Sequence, residues 1–382
     1  MKRRLLAAVL VLGAAGASAA AFKIILLVPA DDARLDRNLV ERAYLGHPGG
    51  SAADGVRVAI DEAAFELQAA GASLTLETVA VADTAAARTA AQQAAKTAAV
   101  LLTDLPPDAT LAVVDAVQRP VLNIGAADDR LREGDCRPRL YHLAPSERMR
   151  SDALAQTLVA RKWSQVLLLV GPSALDAERG GVAQKSIARY GLKLAGVKPF
   201  KLSADPRERA LANPLLLTQG SYDVVWVVDS DGEFARGLPY RTALPRPVVG
   251  DAGLVALAWH AQFERYGAPQ VSRRFAKAAA RPMMAQDWTA WMAGKAVVAA
   301  AVAAPKGPLA AFDKALAAAE LDGSKGTTMS FREWDGQLRQ PLMLSDGQGV
   351  ISTAPIEGLL HPKNVLDTLG SDAPEKRCKA HS

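Results

Sequence analysis

Cysteine, histidine and aromatic residues are scarce in this chain. Its 382 residues include 2 cysteines and 5 histidines, and aromatic residues account for 5%. The histidines show no ligand spacing with one another or with the cysteines, so no metal site is expected. Cys136 and Cys378 form an even, sparse pair, which in an oxidising compartment is most simply one disulfide. Two separate thiols are the alternative.

Local catalytic motifs are also absent. The sequence contains no Gly-x-Ser-x-Gly elbow, no P-loop and no His-Glu-x-x-His pair. Gly46, Gly49 and Gly50 have the wrong spacing for a dinucleotide-binding turn. We therefore expect a protein that is not an enzyme and uses no catalytic cofactor, with an enzyme of unfamiliar site as the alternative.

No segment of about 18 apolar residues is free of charge, which argues against a membrane-spanning helix. The N-terminus instead has the three-part pattern of a secretory signal peptide. Lys2, Arg3 and Arg4 precede an apolar run over residues 5–12, and small residues follow at 17–19. We expect residues 1–21 to be the signal, cleaved near residues 19–21, and the mature protein to lie in the periplasm.

The mature chain lacks an excess of charge of either sign. The full sequence has 45 Lys and Arg against 40 Asp and Glu, and without the three basic residues of the signal the balance is 42 against 40. The basic pI therefore gives no argument for nucleic-acid binding. An anion site would have to be a local cluster of basic residues.

Apolar periodicity predicts an α/β protein with two doubly wound, Rossmann-like lobes. Residues 22–28 form a continuous apolar run, as in a strand buried on both faces of a parallel sheet. Strands and helices alternate from there to residue 143, and the pattern restarts at a helix capped by Ser146. Helices are predicted after residue 250, at 254–266, 271–279, 281–301 and 309–320. A hairpin of 327–334 with 337–344 and a second turn at Asp346-Gly347 follow.

The loops that follow the predicted strands hold the candidate ligand-binding residues, because open α/β sheets bind ligands at the carboxyl ends of their strands. Several of these loops combine arginine with tyrosine. Two or three arginines converging on one cleft would clamp carboxylates, although any single one is more often a solvated surface charge. The candidates are Arg42, Tyr44, Arg130, Arg132, Arg236, Tyr240 and Arg241.

The predicted helix at 281–301 supplies further candidates. Trp288, Trp291 and Lys295 recur at i, i+3 and i+7 and therefore share one face. Such a stripe can hold a planar anion, or it can simply fill the core.

The chain resembles a known family over essentially its whole mature length. The segments FERYGAPQVSRRFAKAAARPMMAQDWTAWMAGKAV (263–297) and LDGSKGTTMSFREWDGQLRQPLML (321–344) resemble the type I periplasmic solute-binding proteins of ABC transporters, in the branched-chain amino-acid-binding class. RPVVGDAGLVALAWH (246–260), SFREWDGQLRQP (330–341) and LDTLGSDAPEKRC (366–378) are similar to a subgroup associated with alcohol oxidation that depends on pyrroloquinoline quinone (PQQ).

The resemblance implies lobe 1 at 22–143 plus 252–323, lobe 2 at 144–251 plus 324–372, and a tail at 373–382. Crossings between the lobes are expected near residues 142–145, 250–251 and 322–326. In the family, a helix beginning at the place of residues 287–291 reaches the cleft. Asp287 and Trp288 are therefore expected to contact the ligand, with Trp291 one turn deeper.

The function implied is capture of PQQ between the lobes, for transport through an ABC permease or for delivery to PQQ-dependent dehydrogenases. PQQ is flat and carries three carboxylates, so aromatic residues and arginines would suit it. A monomer without a nucleic-acid partner is expected. The alternative ligand is a branched-chain or aromatic amino acid or an alcohol-derived solute, and a redox enzyme or sensor using the quinone is a third hypothesis.

Overall fold

Two parallel β-sheets organise the chain. The computed structural model describes residues 20–42 and 45–379, so most of the predicted signal and part of the predicted tail lie outside the described residues. The first sheet has the order β2-β1-β3-β4-β5 and is built from β1 (Ala20–Pro29), β2 (Ala72–Val81), β3 (Val100–Thr103), β4 (Val121–Asn123) and β5 (Leu140–His142). The second has the order β7-β6-β8-β9 and is built from β6 (Gln165–Val170), β7 (Lys193–Pro199), β8 (Val224–Val228) and β9 (Val248–Gly250).

Helices flank both sheets, as the alternating pattern predicts. Within the described residues they are α1 (Arg37–Arg42), α2 (Ala53–Glu62), α3 (Ala64–Ala70), α4 (Thr84–Ala94), α5 (Pro107–Ala116), α6 (Glu147–Ala160), α7 (Ala174–Arg189), α8 (Pro214–Leu217), α9 (Ala268–Ala279), α10 (Ala285–Ala303) and α11 (Leu309–Ala317). Within that same part of the chain, none is both long and apolar enough to cross a bilayer. The predicted fold class is confirmed.

Side-chain caps set the start of the helices that border the space between the sheets. Ser146 Oγ accepts a hydrogen bond from the Met149 amide at 3.2 Å and starts α6, as predicted. Ser173 and Asp176 form a reciprocal capping box at the start of α7. These caps orient the first turns of α6 and α7.

The region after Gly250 departs from the predicted pattern. The expected helix at 254–266 is wrong, because Val255–Leu257 forms strand β10 and pairs with β13 (Leu342–Ser345). Gly253 adopts a φ of +68°, and a side chain there would collide with the Val248 carbonyl. The chain therefore turns sharply before β10, and long-range strand pairing overrides the local helical pattern.

The strand pairing around Asp335-Gly336 also differs from the predicted hairpin. Its first arm contains β12 (Thr328–Met329), which pairs with β11 (Leu321–Asp322) instead of with β13. A single antiparallel bridge between Phe331 and Leu338 closes the Asp335-Gly336 turn. The second predicted turn is confirmed, since β13 pairs with β14 (Val350–Ala354) across residues 346–349.

Each sheet has its own core, so the molecule has two lobes. The first core joins β1 and β3 to α2, α9 and α10, and the second joins β6 and β8 to α6, α7 and β13. The chain passes from the first lobe to the second after β5, returns near β10, and enters the second again just before β13. Residues 322–326, expected to be the third crossing, instead form the β11–β12 turn within lobe 1. The crossing lies near Gln340, whose side-chain amide donates to the Leu143 carbonyl of the first crossing at 2.7 Å.

Cys136 and Cys378 form the predicted disulfide, with an S–S distance of 2.04 Å. Cys136 follows β4 in a loop of lobe 1, and Cys378 lies in the C-terminal tail. Arg148 of α6 also binds this tail through Glu375, at 2.7 and 2.9 Å. The tail is therefore anchored to both lobes.

Candidate ligand-binding cleft

A cavity of about 610 Å³ lies between the lobes. Its wall includes the residues that follow the strands of both sheets, among them Asp104 after β3, Gly125 after β4, Asp229 after β8 and Asp251 after β9. The carboxyl ends of the two parallel sheets therefore face one space. Its volume is in the range that holds a small organic molecule.

Arg34 organises the lobe 1 side of the cavity. Asp32 accepts a hydrogen bond from the Arg34 amide at 3.0 Å, and this closes a short turn after β1. The guanidinium then donates to Asp32 at 2.7 and 2.8 Å and to Asp104 at 2.9 Å. Burial raises the pKa of Asp32, but hydrogen bonds and charge from Arg34 outweigh burial and lower it. Arg34 thus forms ion pairs with the carboxylates of both Asp32 and Asp104.

Arg179 is the corresponding arginine on the lobe 2 side of the cavity. It lies in the second turn of α7 and makes a bidentate pair with Asp251 at 2.6 and 3.0 Å. Its Nε also donates to Glu147 at 3.1 Å, and Arg150 donates to the same carboxylate at 3.2 Å. These contacts join α6, α7 and the loop after β9 into one charged network.

Two carboxyl groups of the cavity have elevated pKa values. Burial raises the pKa of Asp129 to about 6, although Ser146, the Arg148 amide and Arg132 act in the opposite direction. Burial also raises the pKa of Asp229 to about 6, assisted by the neighbouring charges of Asp231 and Asp251. Both groups are predominantly ionised at neutral pH and gain protons as the pH falls through 6.

Two polar atoms in the cavity wall are buried and have no hydrogen-bond partner within the described part of the chain. They are Nε of Arg150, on α6 of lobe 2, and Oε1 of Gln286, in the first turn of α10 of lobe 1. The amide nitrogen of Gln286 donates to the Gly46 carbonyl, which holds the side chain in place. The two residues border the cavity from opposite lobes, and each keeps one buried polar atom without a partner.

The structure places the predicted α10 residues in the core of lobe 1, away from the cavity surface. Trp288 is 0% exposed, stacks on Trp259 at 6.2 Å and donates to the Gly323 carbonyl at 3.0 Å. Trp291 donates to Glu62 at 2.9 Å. Asp287 accepts from Arg281 at 2.6 Å and from the Met284 amide at 2.8 Å, and so caps α10. The helix reaches the cavity one residue earlier than expected, through Gln286.

The predicted residues of the loop after β8 do not line the cavity. Arg236, Tyr240 and Arg241 lie in and just after a short helical turn following β8, and Tyr240 is 90% exposed. None of these three borders the cavity. Tyr44 and the side chain of Arg42 lie outside the described residues.

Arg130 and Arg132, which follow β4, make contacts within the protein. Arg130 pairs with Asp108 and Asp135. Arg132 is buried and donates to Gln337 at 2.9 Å and to the carbonyls of Ala126, Asp128 and Ala144. Burial lowers its pKa to about 10. Arg132 thus holds the loop after β4 against the first crossing.

Sequence reasoning missed the charged residues that do border the cavity. Arg34 lies in the first predicted loop, eight residues before Arg42, and Arg179 lies in α7. Asp229 follows a short apolar run directly, and Asp104 and Asp251 follow theirs after one intervening residue, Thr103 and Gly250. An acid immediately after an apolar strand was the signal that could have located this edge of each sheet.

The fold defines a two-lobed α/β protein with a cavity between its lobes. No group of three or more His, Cys, Asp or Glu within the described residues is arranged to hold a metal ion. No family model and no curated protein sequence matches the chain.

Solved structures supply the comparison. A branched-chain amino-acid ABC transporter periplasmic ligand-binding protein from Burkholderia xenovorans LB400 is 12% identical, with a TM-score of 0.73 over 94% of this chain and 100% of that one. A solute-binding protein of an ABC transporter from Rhodopseudomonas palustris BisB5, solved with 3,4-dihydroxybenzoic acid, is 13% identical, with a TM-score of 0.64 over 85% and 92%. A Leu-, Ile-, Val-, Thr- and Ala-binding protein from Brucella ovis, in a closed conformation, is 12% identical, with a TM-score of 0.65 over 85% and 88%. The chain has the fold of the type I periplasmic binding proteins.

Proposed function

We propose that this protein is the solute receptor of an ABC uptake system and captures a small organic solute in the cavity between its lobes. The observation that carries the proposal is the cavity itself, of about 610 Å³, at the facing carboxyl ends of two parallel sheets. The structural neighbours named above include proteins whose ligands are amino acids or an aromatic acid. A receptor of this kind binds without catalysing a reaction.

Capture requires contacts from both lobes, because a solute held by one lobe alone would gain nothing from closure. Gln286 borders the cavity from lobe 1 and Arg150 borders it from lobe 2, and each keeps a buried polar atom without a hydrogen-bond partner. The first and third crossings are tied by the Gln340–Leu143 hydrogen bond and form the base of a hinge. A solute that contacts both Gln286 and Arg150 would stabilise the arrangement in which the two lobes are closed.

Export to the periplasm and transfer of the solute to a permease belong to the same proposal. The Cys136–Cys378 disulfide supports an oxidising compartment, where such bonds persist. The signal-peptide pattern lies almost entirely outside the described residues and remains a prediction. Cell fractionation with an antibody against the mature chain would test it, since recovery in the cytoplasmic fraction contradicts export.

PQQ and its delivery to dehydrogenases remain predictions from the resemblance, and no described contact supports them. Trp288 and Trp291, expected to stack on the quinone, are buried in lobe 1. The cavity wall carries nine carboxylate side chains and three arginines, an unfavourable balance for a ligand with three carboxylates. PQQ therefore enters the binding test as a competing ligand.

Calorimetric titration combined with small-angle X-ray scattering tests the proposal. A bound solute should reduce the radius of gyration as the lobes close. Ala33 borders the cavity, and Ala33→Trp should weaken binding at least tenfold by filling it. Ala85→Trp, on the exposed start of α4, is the matched control and should bind normally. Binding that survives Ala33→Trp, or that leaves the radius unchanged, contradicts the proposed site.

A further inference from the structure

The two walls of the cavity carry charge of the same sign. The lobe 1 wall has one arginine, Arg34, and five carboxylates: Asp31, Asp32, Asp104, Asp128 and Asp129. The lobe 2 wall has Arg150 and Arg179 with four carboxylates: Glu147, Glu178, Asp229 and Asp251. Burial lowers the pKa of His47, which also borders the cavity, and favours its neutral form. Each wall is therefore net negative at neutral pH.

The arginines leave little capacity for an anionic ligand. Arg34 is held by Asp32 and Asp104, and Arg179 by Glu147 and Asp251. Arg150 donates to Glu147, and its side chain is 31% exposed, so it is the least committed of the three arginines. An anion entering the cavity would have to share Arg150 with Glu147 or displace a carboxylate from Arg34 or Arg179, and it would face the remaining acids.

Closure of two negative walls is opposed by their mutual repulsion, which grows as the lobes approach and water leaves. A cation placed between the walls reverses this effect, because it attracts both. The charge of the cavity would thus couple binding to closure. A neutral or anionic solute has no comparable advantage in the closed state.

We propose that the solute is a small organic cation, an aliphatic amine or guanidinium compound, and this inference rests on the proposed receptor function. The remaining lining fits such a molecule. Leu154, Leu175 and Val182 of lobe 2 and Leu257 at the end of β10 border the cavity and can pack against methylene groups. Gln286 also borders the cavity, and its Oε1, which has no hydrogen-bond partner, is an acceptor of the kind that suits an ammonium or guanidinium N–H.

The test is titration of the full mature chain with putrescine and L-arginine as cations, L-leucine as a neutral zwitterion, and benzoate and PQQ as anions. At least one cation should bind ten times more tightly than leucine and both anions. Its affinity should fall several-fold between about 20 mM and about 200 mM NaCl, because salt screens the attraction.

Two carboxylates of the cavity can be neutralised without removing a structural contact found in the described residues. Asp128 makes no side-chain cap bond, and Glu178 is exposed on α7. Asp128→Asn and Glu178→Gln should each weaken cation binding about three- to tenfold. Asp61→Asn, on the exposed end of α2 and away from the cavity, should leave it unchanged.

The outcomes separate this inference from the proposed function. Tighter binding of leucine, benzoate or PQQ that Ala33→Trp abolishes overturns the cationic ligand and keeps the receptor. Cation binding that Ala33→Trp and Asp128→Asn leave unchanged places the ligand elsewhere, and overturns both. If no cation in the panel binds, the inference is wrong whatever the other compounds do.

Discussion

The side-chain nitrogen Nζ of Lys325 lies 3.5 Å from the centre of the Trp288 ring. Lys325 is buried, and its Nζ also donates to the Pro341 carbonyl at 3.0 Å and to Gln340 Oε1 at 3.3 Å. Gln340 in turn binds Leu143 of the first crossing. Helix α10 was expected to supply an aromatic contact to a ligand. Its Trp288 instead packs against Lys325, which through Gln340 connects the first and third crossings between the lobes.

Lys325→Met should change how stability depends on pH. Burial lowers the pKa of Lys325 well below its usual range. The unfolded chain therefore binds more protons than the folded one between the lowered pKa and the ordinary value. Lys325 makes the wild-type free energy of unfolding rise with pH in this window, by up to about 1.4 kcal/mol per pH unit.

Urea denaturation of both proteins between pH 7 and pH 10 provides the measurement. The free energy of unfolding of the variant, relative to wild type, should decline as the pH rises. Lys277→Met, on the exposed face of α9, should keep the wild-type pH dependence. Parallel wild-type and Lys325→Met profiles would show that Lys325 does not titrate as described.

Gly55→Ala should destabilise lobe 1 by about 2–4 kcal/mol. A Cβ at Gly55 would lie 2.9 Å from the Trp291 amide nitrogen and 3.0 Å from Ala290 Cβ, because α2 and α10 pack backbone against backbone. Gly181, inside α7, has no atom within 4 Å of the corresponding position. Gly181→Ala should therefore stabilise the protein by up to about 1 kcal/mol through helix propensity. Equal effects of the two substitutions would contradict this packing.

Replacing both cysteines with alanine should lower the free energy of unfolding by about 2–5 kcal/mol. The disulfide closes a loop with a sequence separation of 242, and a long loop loses much entropy when it is cross-linked in the unfolded chain. The tail, released from Cys136, should also become a site of limited proteolysis. Denaturation and mass spectrometry of the fragments measure both effects. An unchanged digestion pattern would mean that Arg148 and Glu375 suffice to hold the tail.

Arg34→Gln should strengthen binding of a cationic solute about three- to tenfold, because it frees Asp32 and Asp104 and makes the lobe 1 wall more negative. Arg241→Gln, at an exposed position away from the cavity, should leave affinity within about twofold. Calorimetric titration compares the two variants with wild type. Weaker binding by Arg34→Gln would instead assign Arg34 a direct contact with an anionic group of the solute.

The strands of the two parallel sheets and the helices that flank them were largely predictable from the sequence. The secondary structure after Gly250 was less predictable. Residues 22–28 lie within β1, and the apolar run before Asp229 contains β8, because burial on both faces leaves a local signature. Strand β10 also lies in an apolar run, at 254–259, but such a run fits a buried helix equally well. Its partner β13 lies more than 80 residues away, so its pairing depends on contacts that a local window does not contain.

The sequence by itself determined the two-lobed α/β architecture and indicated the loops where a ligand would lie. Because the chain has only two cysteines, the sequence also indicated that Cys136 would pair with Cys378 if a disulfide formed. The tertiary structure decided which side chains border the cleft. The predicted residues Trp288 and Arg241 do not border it, whereas Gln286, Arg34 and Arg179 do. The physical reason is that helix periodicity places a residue on a face without showing what covers that face. The charge of a cleft likewise depends on which acids and arginines, distant in sequence, meet and neutralise one another.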